Sequence, residues 1–127
     1  MRVFDKVEGW GSKVNFVDEN NVVLGYDLSQ DCCEWADWFI SDSMLNDVGN
    51  DIDVNVGRDT DLTKYRFDTQ FFMEHEGGLL DSGKMVVFRI FDGENEKFIH
   101  LFNCHNGYYS HGFDFVINNK VVREDYL

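Results

Sequence analysis

The chain has no proline, few basic residues and only three cysteines among its 127 residues. Without proline, and without a stretch rich in glycine and serine, no linker divides the sequence, so we expect one domain over residues 1–127. No apolar run approaches the ~20 residues needed to cross a bilayer as a helix. The beginning of the sequence also lacks the apolar segment of a secretory signal. These absences favour a soluble protein of the cytoplasm.

The cysteine content points to the same compartment. Three is an odd number, and Cys32 and Cys33 are adjacent. Adjacent cysteines fit a disulfide framework poorly, and they fit a reducing cytosol better.

The shortage of basic residues argues against two classes of function. There are 11 lysines and arginines against 24 aspartates and glutamates, for a formal net charge of −13. A nucleic-acid binder needs a basic surface to neutralise phosphates, and docking on anionic lipid needs one too. With 43% hydrophobic and 16% aromatic residues, the chain is expected to fold and not to be a disordered acidic tail. Its charge favours a basic protein partner, and the alternative is that the acidity only keeps the protein soluble.

The acidity is concentrated between Asp27 and Asp61. This stretch holds ten carboxylates and one basic residue, Arg58, together with two of the three tryptophans. Aromatic side chains surrounded by charges are typical of protein interfaces. We therefore predict a partner-binding surface in this stretch, with no catalytic residue and no cofactor. It comprises Glu34, Trp35, Asp37, Trp38, Asp42, Asp47, Asp51 and Asp53.

The pattern of apolar residues predicts an α+β fold, mainly an antiparallel β meander with one short helix. Trp35, Trp38 and Phe39 have helical spacing, which places the helix within residues 31–49. A strand followed by a short helix is the alternative interpretation of this segment. Residues 18–21 predict the turn of a hairpin between residues 14–17 and 22–26. Alternating or continuous apolar residues predict further strands, at residues 3–7, 52–56, 65–74, 85–91, 97–104, 108–117 and 121–124. The strand at 85–91 is almost wholly apolar, which predicts burial on both faces, and residues 92–95 and 118–119 predict turns.

One turn predicts a specific strand register. If Asn106 and Gly107 form a type I′ turn, the two flanking strands pair with His100 opposite Phe113. His100, Cys104 and His111 would then share one face of the sheet.

The cysteines and histidines suggest an alternative function, a metal-binding or thiol-dependent site. Its candidate residues are Cys32, Cys33, His100, Cys104 and His111. The spacing lacks the paired Cys-x2-Cys ligands of structural zinc sites. Acidic neighbours of Cys32 and Cys33 also oppose thiolate formation. Buried structural roles are therefore the favoured interpretation of these residues.

Two short motifs resemble an uncharacterised family of small bacterial and phage proteins. They are Gln30-Asp31-Cys32-Cys33-Glu34 and Asn106-Gly107-Tyr108-Tyr109-Ser110. The family often has a histidine at the position of Gln30, and this departure argues against a shared metal or catalytic role. The resemblance implies no activity. It implies a genomic context in which small acidic proteins are often inhibitors, either of host defence nucleases or of a cognate toxin.

Overall fold

The computed structural model describes residues 1–6, 12–28, 35–44, 54–55, 57–76, 84–104 and 111–127. These residues form ten β-strands, and every strand pair between them is antiparallel. The strands are β1 (Arg2–Lys6), β2 (Lys13–Val17), β3 (Val23–Asp27), β4 (Trp35–Ser41), β5 (Arg66–Phe67), β6 (Met73–Glu76), β7 (Lys84–Phe91), β8 (Glu96–Cys104), β9 (Gly112–Ile117) and β10 (Lys120–Tyr126).

The strands form two sheets. Sheet A has the order β1-β2-β3-β9-β10, and sheet B has the order β4-β8-β7-β5, with β6 also pairing with β7. The inward faces of the two sheets pack together, as in a β-sandwich. Phe16 of sheet A meets Trp38 of sheet B edge to face, with 5.1 Å between ring centroids. Phe88 and Phe113 meet in the same way at 6.1 Å. These aromatic contacts join the sheets through one main core.

A buried aspartate also links the two sheets. Asp18, in the turn between β2 and β3, is only 4% exposed. Its Oδ1 accepts hydrogen bonds from the backbone nitrogens of Asn20 and Val22, each at 2.9 Å. Its Oδ2 accepts from the backbone nitrogen of Phe67 in β5, also at 2.9 Å. One carboxylate thus ties a turn of sheet A to an edge strand of sheet B.

Sheet B is also apolar on its outward face. A second cluster of buried residues lies there, and His100 stacks on Phe39 with 4.2 Å between ring centroids. Phe39 and His100 are directly opposite each other on β4 and β8. The members of this cluster are Phe39, Met85, Val87, Phe98 and Phe102. Both faces of sheet B are therefore largely buried, which explains the nearly continuous apolar sequence of β7.

The predicted α+β class is wrong, because the described part of the chain is all-β and contains no helix. Trp35, Trp38 and Phe39 lie on strand β4, not on a helix. A strand with both faces buried places large apolar residues at adjacent positions, and such a run can imitate helical spacing. None of the described residues forms a helix that could span a membrane.

The predicted hairpin around Asn106 and Gly107 is also wrong in its pairing, although the turn itself lies outside the described residues. Strand β8 has β4 and β7 as neighbours, while β9 has β3 and β10. Each strand has both edges occupied, so His100 cannot pair with Phe113. The chain moves from sheet B to sheet A between these strands.

The other strand predictions had mixed outcomes. The hairpin of β2 and β3 is confirmed, and so are the buried strand β7 and the turn that leads from it into β8. The predicted strand over residues 65–74 is divided into β5 and β6, because Asp68 accepts a hydrogen bond from the Gln70 nitrogen and starts a turn. Val54 lies in a turn and not in the strand predicted for residues 52–56.

Candidate functional site

The two tryptophans predicted as partner anchors lie on β4 but face opposite sides of sheet B. Trp38 is 3% exposed and belongs to the main core. Trp35 is 37% exposed and meets Phe102 edge to face on the outward side, with 4.8 Å between ring centroids. Trp35 is thus the accessible one of the two. Glu34 lies outside the described residues.

The described carboxylates of the predicted surface are paired within the protein. Arg58 Nη2 donates to Asp37 Oδ1 at 2.5 Å and to the carbonyl oxygen of Trp38 at 2.8 Å. Asp42 accepts a hydrogen bond from Lys97 Nζ, although its own side chain is 85% exposed. An exposed ion pair of this kind contributes only about 0–1 kcal/mol, so Asp42 could exchange its partner readily. The remaining members, Asp47, Asp51 and Asp53, lie outside the described residues.

The residues of the alternative metal or thiol site are not brought together where the structure describes them. His100 lies against Phe39 on the outward face of sheet B. The Nδ1 atom of His111 lies 3.0 Å from the carbonyl oxygen of Asp27 in sheet A. Cys104 packs against the second apolar cluster. The described residues include no group of three metal-binding side chains, and Cys32 and Cys33 lie outside them.

The outward face of sheet A carries a row of valines that crosses four strands. Successive register pairs align Val17 with Val23, Val23 with Val116, and Val116 with Val121. Antiparallel partners share a face, and the neighbours of these valines, such as Phe16 and Leu24, point into the core. Val121 is 52% exposed. We call Val17, Val23, Val116 and Val121 the valine row.

Two carboxylates face each other beside the valine row. Asp114 of β9 is directly opposite Glu124 of β10, on the outward face of sheet A. Neither forms an ion pair with a described residue. Like charges directly opposite on neighbouring strands destabilise a sheet. The pair therefore lowers the stability of this edge of sheet A. The side chain of Lys13, which shares the space above Gly25 with Asp114 Oδ1, offsets part of this repulsion without forming an ion pair.

A β-bulge creates this arrangement. Near the turn, Lys120 pairs with Ile117 and Val121 with Val116, and a regular hairpin in that register would continue to Arg123 opposite Asp114. Instead, the register shifts between Val121 and Arg123, so that Glu124 faces Asp114. Arg123 lies over the ring of Phe72 instead, with its guanidinium carbon 4.2 Å from the ring centroid. The bulge thus replaces an opposite-charge pair by a like-charge pair.

Two glycines leave room for neighbouring side chains on this face. A Cβ at Gly25 would lie 2.7 Å from Asp114 Oδ1, so the carboxylate leans over the space that a side chain would fill. A Cβ at Gly112 would lie 3.3 Å from the ring of Tyr126, which is 64% exposed. A groove of about 430 Å³ runs here, and its lining residues are Gly112, Phe113, Asp114, Glu124, Asp125 and Tyr126.

The described basic side chains are mostly engaged within the protein. Arg89 bonds Glu96 at 2.7 Å and Asp68 at 3.1 Å. The hydrogen bond to Glu96, followed by that to Asp68, raises the pKa of Arg89 despite some burial. Arg58 and Lys97 are held by Asp37 and Asp42.

The outward face of sheet A itself carries charges of both signs. Arg2 is aligned with Val17 and lies over the ring of Phe4, and Lys13 is opposite Asp27. The negative charge of this face is concentrated at Asp114 and Glu124.

This face could not be predicted from the sequence, because its members come from four strands, and β3 and β9 are distant in sequence. The only local signal is that Asp114 stands between the apolar residues Phe113 and Phe115. This alternation places one carboxylate on the solvent-exposed face of a strand. Glu124 joins it only through the bulge. The valine row requires the pairing of β3 with β9, which no short motif predicts.

No protein-family model, no curated protein and no solved structure matches this chain. The family resemblance inferred from the two short motifs therefore stays a prediction.

Proposed function

We propose that the chain is a small acidic binding protein without enzymatic activity, and that the outward face of sheet A covers a basic, nucleic-acid-binding surface of a partner protein. The opposed carboxylates Asp114 and Glu124, beside the valine row, carry this proposal. They keep two like charges together at a cost in stability. A lysine or arginine of a partner would relieve that cost.

The composition of the face supports a protein partner of this kind. Stable interfaces combine a central apolar patch and aromatic anchors with a polar rim. Here the valine row supplies the apolar patch, and Tyr126 lies exposed beside the two carboxylates. The net charge of −13 would attract a basic surface from a distance and raise the association rate.

The biological role that fits best is inhibition. A protein that occupies the basic cleft of a nuclease competes with nucleic acid, because both need the same cations. We propose a cytoplasmic inhibitor of the phage anti-defence or toxin-immunity type, acting in a bacterial host cell. Asp42 and Trp35, accessible on the other sheet, could extend the contact with a large partner.

The test is capture from a bacterial host lysate with matched charge variants as bait. Asp114→Lys with Glu124→Lys reverses the carboxylate pair. Asp59→Lys with Glu94→Lys makes the same change of charge at two exposed positions away from this face. The proposal predicts that wild type and the control capture one nucleic-acid-binding protein at low salt, that high salt releases it, and that the reversed pair does not capture it. Equal capture by both variants would refute the assigned face.

A further inference from the structure

Strand β10 forms one edge of sheet A, and no described strand pairs with its other side. All seven of its residues are exposed, including the large apolar side chains of Val121, Val122 and Tyr126. The strand at the opposite edge of the sheet, β1, has five residues. A long exposed edge strand is a template for pairing with another chain unless the protein covers it. Of the two edges of sheet A, β10 therefore offers an incoming strand the longer stretch of backbone.

The hydrogen-bond pattern of β10 shows which of its backbone groups face the open edge. Leu127 and His111 exchange both of their backbone hydrogen bonds, each at 2.8 Å. In an antiparallel pair, residues bonded in this way alternate with residues whose N–H and C=O groups point away from the partner strand. The register is regular from Arg123 onward, so Glu124 and Tyr126 are the residues that point away from β9. Their N–H and C=O groups lie at the open edge.

A hydrogen bond within β10 supports this assignment. The backbone nitrogen of Tyr126 donates to Oδ1 of Asp125 at 2.8 Å, so this nitrogen is not used in the ladder with β9. The Asp125 carboxylate thus occupies a position that an acceptor of an incoming strand would take. The ring of Tyr126 lies over Gly112, where a Cβ would be 3.3 Å from it. Because Gly112 belongs to β9, the ring leans away from the open edge and leaves it uncovered.

The edge of β4 in sheet B is closed, in contrast to that of β10. The backbone nitrogen of Trp38 donates to Oδ1 of Asp37 at 2.9 Å, and the Trp38 carbonyl oxygen accepts from Arg58 at 2.8 Å. Farther along the strand, Gly57 lies against the carbonyl oxygen of Ile40. Side chains and a loop therefore occupy the edge of β4. Strand β10 has a single contact of this kind among the described residues.

The charges of β10 favour a basic segment at this edge over a second copy of the strand. Residues directly opposite each other in an antiparallel pair have their side chains on the same face. The symmetric registers that pair Glu124 with itself or with Tyr126 bring Glu124 or Asp125 opposite its own copy. Like charges at such positions destabilise a sheet. A lysine or arginine opposite Glu124 would instead extend the row in which Glu124 and Asp114 already face each other.

We propose that β10 binds an extended basic segment of the partner protein as an additional antiparallel strand. The backbone of this segment bonds to Glu124 and Tyr126, and its carbonyl oxygen replaces the Asp125 carboxylate at the Tyr126 nitrogen. The segment has an apolar residue opposite Tyr126, followed by basic residues opposite Asp125 and Glu124. This inference rests on the proposed function, because it names the part of a basic partner that the acidic protein holds.

The probe that tests this proposal is the peptide acetyl-Thr-Val-Lys-Lys-Thr-Val-amide. Its first valine lies opposite Tyr126, and its second lysine lies opposite Glu124. The full chain is labelled with 15N, and its amide resonances are followed as peptide is added. We expect saturable shifts at β10, slower hydrogen exchange of the Glu124 and Tyr126 amides, and at least tenfold weaker binding when glutamate replaces both lysines. No saturable shift at β10, or equal binding of the two peptides, would overturn the proposal.

Two N-methylated forms of the peptide separate strand addition from simple attraction between charges. A methyl group on the backbone nitrogen of the second lysine removes a donor that faces β10. The same group on the first lysine removes a donor that faces solvent, because neighbouring residues of a strand point to opposite edges. We expect the first form to bind at least tenfold more weakly than the parent peptide, and the second to differ by less than twofold. Equal binding of the two forms would overturn the proposal.

A proline substitution makes the matching comparison on the protein. Glu124→Pro and Glu124→Gln both remove the charge, but only proline removes the outward N–H, which has no part in the ladder with β9. Glu124→Pro should bind the peptide at least fivefold more weakly than Glu124→Gln, and it should capture less of the partner from lysate. Equal capture by the two variants would overturn strand addition and leave the proposed function in place. If the wild type binds the peptide at β10 but captures no partner, strand addition is supported and the proposed function alone is refuted.

Discussion

Replacing Glu124 by Gln should raise the free energy of unfolding, although the change removes a native charge. Directly opposite Cβ atoms lie ~5 Å apart, and two carboxylates on them separate to roughly 7 Å. At that distance in a water-like dielectric, two like charges repel by about 0.6 kcal/mol. Physiological salt reduces this to less than about half. We therefore expect a gain of about 0.6 kcal/mol at low salt and about 0.3 kcal/mol at 0.15 M salt.

Urea denaturation is the suitable assay, because urea adds no ions. The comparison uses Glu124→Gln, Asp114→Asn and the double variant, so that a double-mutant cycle isolates the interaction of the two side chains. Glu94→Gln also removes one negative charge, but in an exposed turn away from the pair. It controls for the general repulsion among the negative charges of the protein. A loss of stability in Glu124→Gln, or a cycle with no coupling at low salt, would refute the like-charge arrangement.

Three further predictions concern the fold. Gly57 and Gly93 both have positive φ, but only Gly57 would place a Cβ against a backbone atom, 2.5 Å from the Ile40 oxygen. In urea denaturation, Gly57→Ala should therefore lower the free energy of unfolding by more than ~3 kcal/mol, and Gly93→Ala by about 1–2 kcal/mol. Equal losses in the two variants would contradict the contact. Asp18→Ala should cost about 3 kcal/mol or more, because three backbone N–H groups lose their acceptor. Asp18→Asn should cost about half of that, since it keeps one acceptor oxygen for the nitrogens of Asn20 and Val22. Equal losses of stability in urea denaturation would show that the bonds to the retained oxygen contribute nothing. Backbone hydrogen bonds from Asn95 and Glu94 lower the pKa of Asp92 below 3.8. Its contribution to stability is therefore present above that pH and is lost as the pH falls through the folded-state pKa. An NMR titration of the Asp92 carboxyl carbon that returns a pKa of 3.8 or higher would contradict this.

The parts of the fold that sequence analysis predicted correctly are those that depend on local signals. Polar turn residues between two apolar runs were sufficient for the hairpin of β2 and β3, and a long apolar run was sufficient for β7. At the hairpin of β9 and β10, Asn118 and Asn119 both adopt positive φ, as a two-residue turn of type I′ requires.

The errors arose where tertiary contacts decide the outcome. The spacing of Trp35, Trp38 and Phe39 fits a helix, but the same residues also suit a strand that is buried on both faces. The change of sheet between β8 and β9 depends on which strands occupy their edges. No local pattern contains that information.

The candidate face depends on one feature with a local signal in the sequence, a turn, and on one without such a signal, a β-bulge. The turn after β9 was predictable, but a regular hairpin would have paired Asp114 with Arg123. The bulge at Val122 reverses the sign of that charge pair, and a bulge in a strand of polar and β-branched residues leaves no clear mark in the sequence. The described residues of the predicted acidic surface, Trp35, Asp37, Trp38 and Asp42, lie on or directly after β4 of sheet B. The face assigned from the structure lies on sheet A, so one experiment can distinguish the two.

That experiment is methyl cross-saturation on the complex of the isotopically labelled chain with its captured partner. If the outward face of sheet A binds the partner, the methyl signals of Val17, Val23, Val116 and Val121 should lose intensity when the partner is irradiated, while Val86 and Ile99 in the core should not. If saturation is transferred instead to methyl groups around β4, and the valine row is unaffected, the account is contradicted. The partner would then bind the acidic stretch that the sequence predicted.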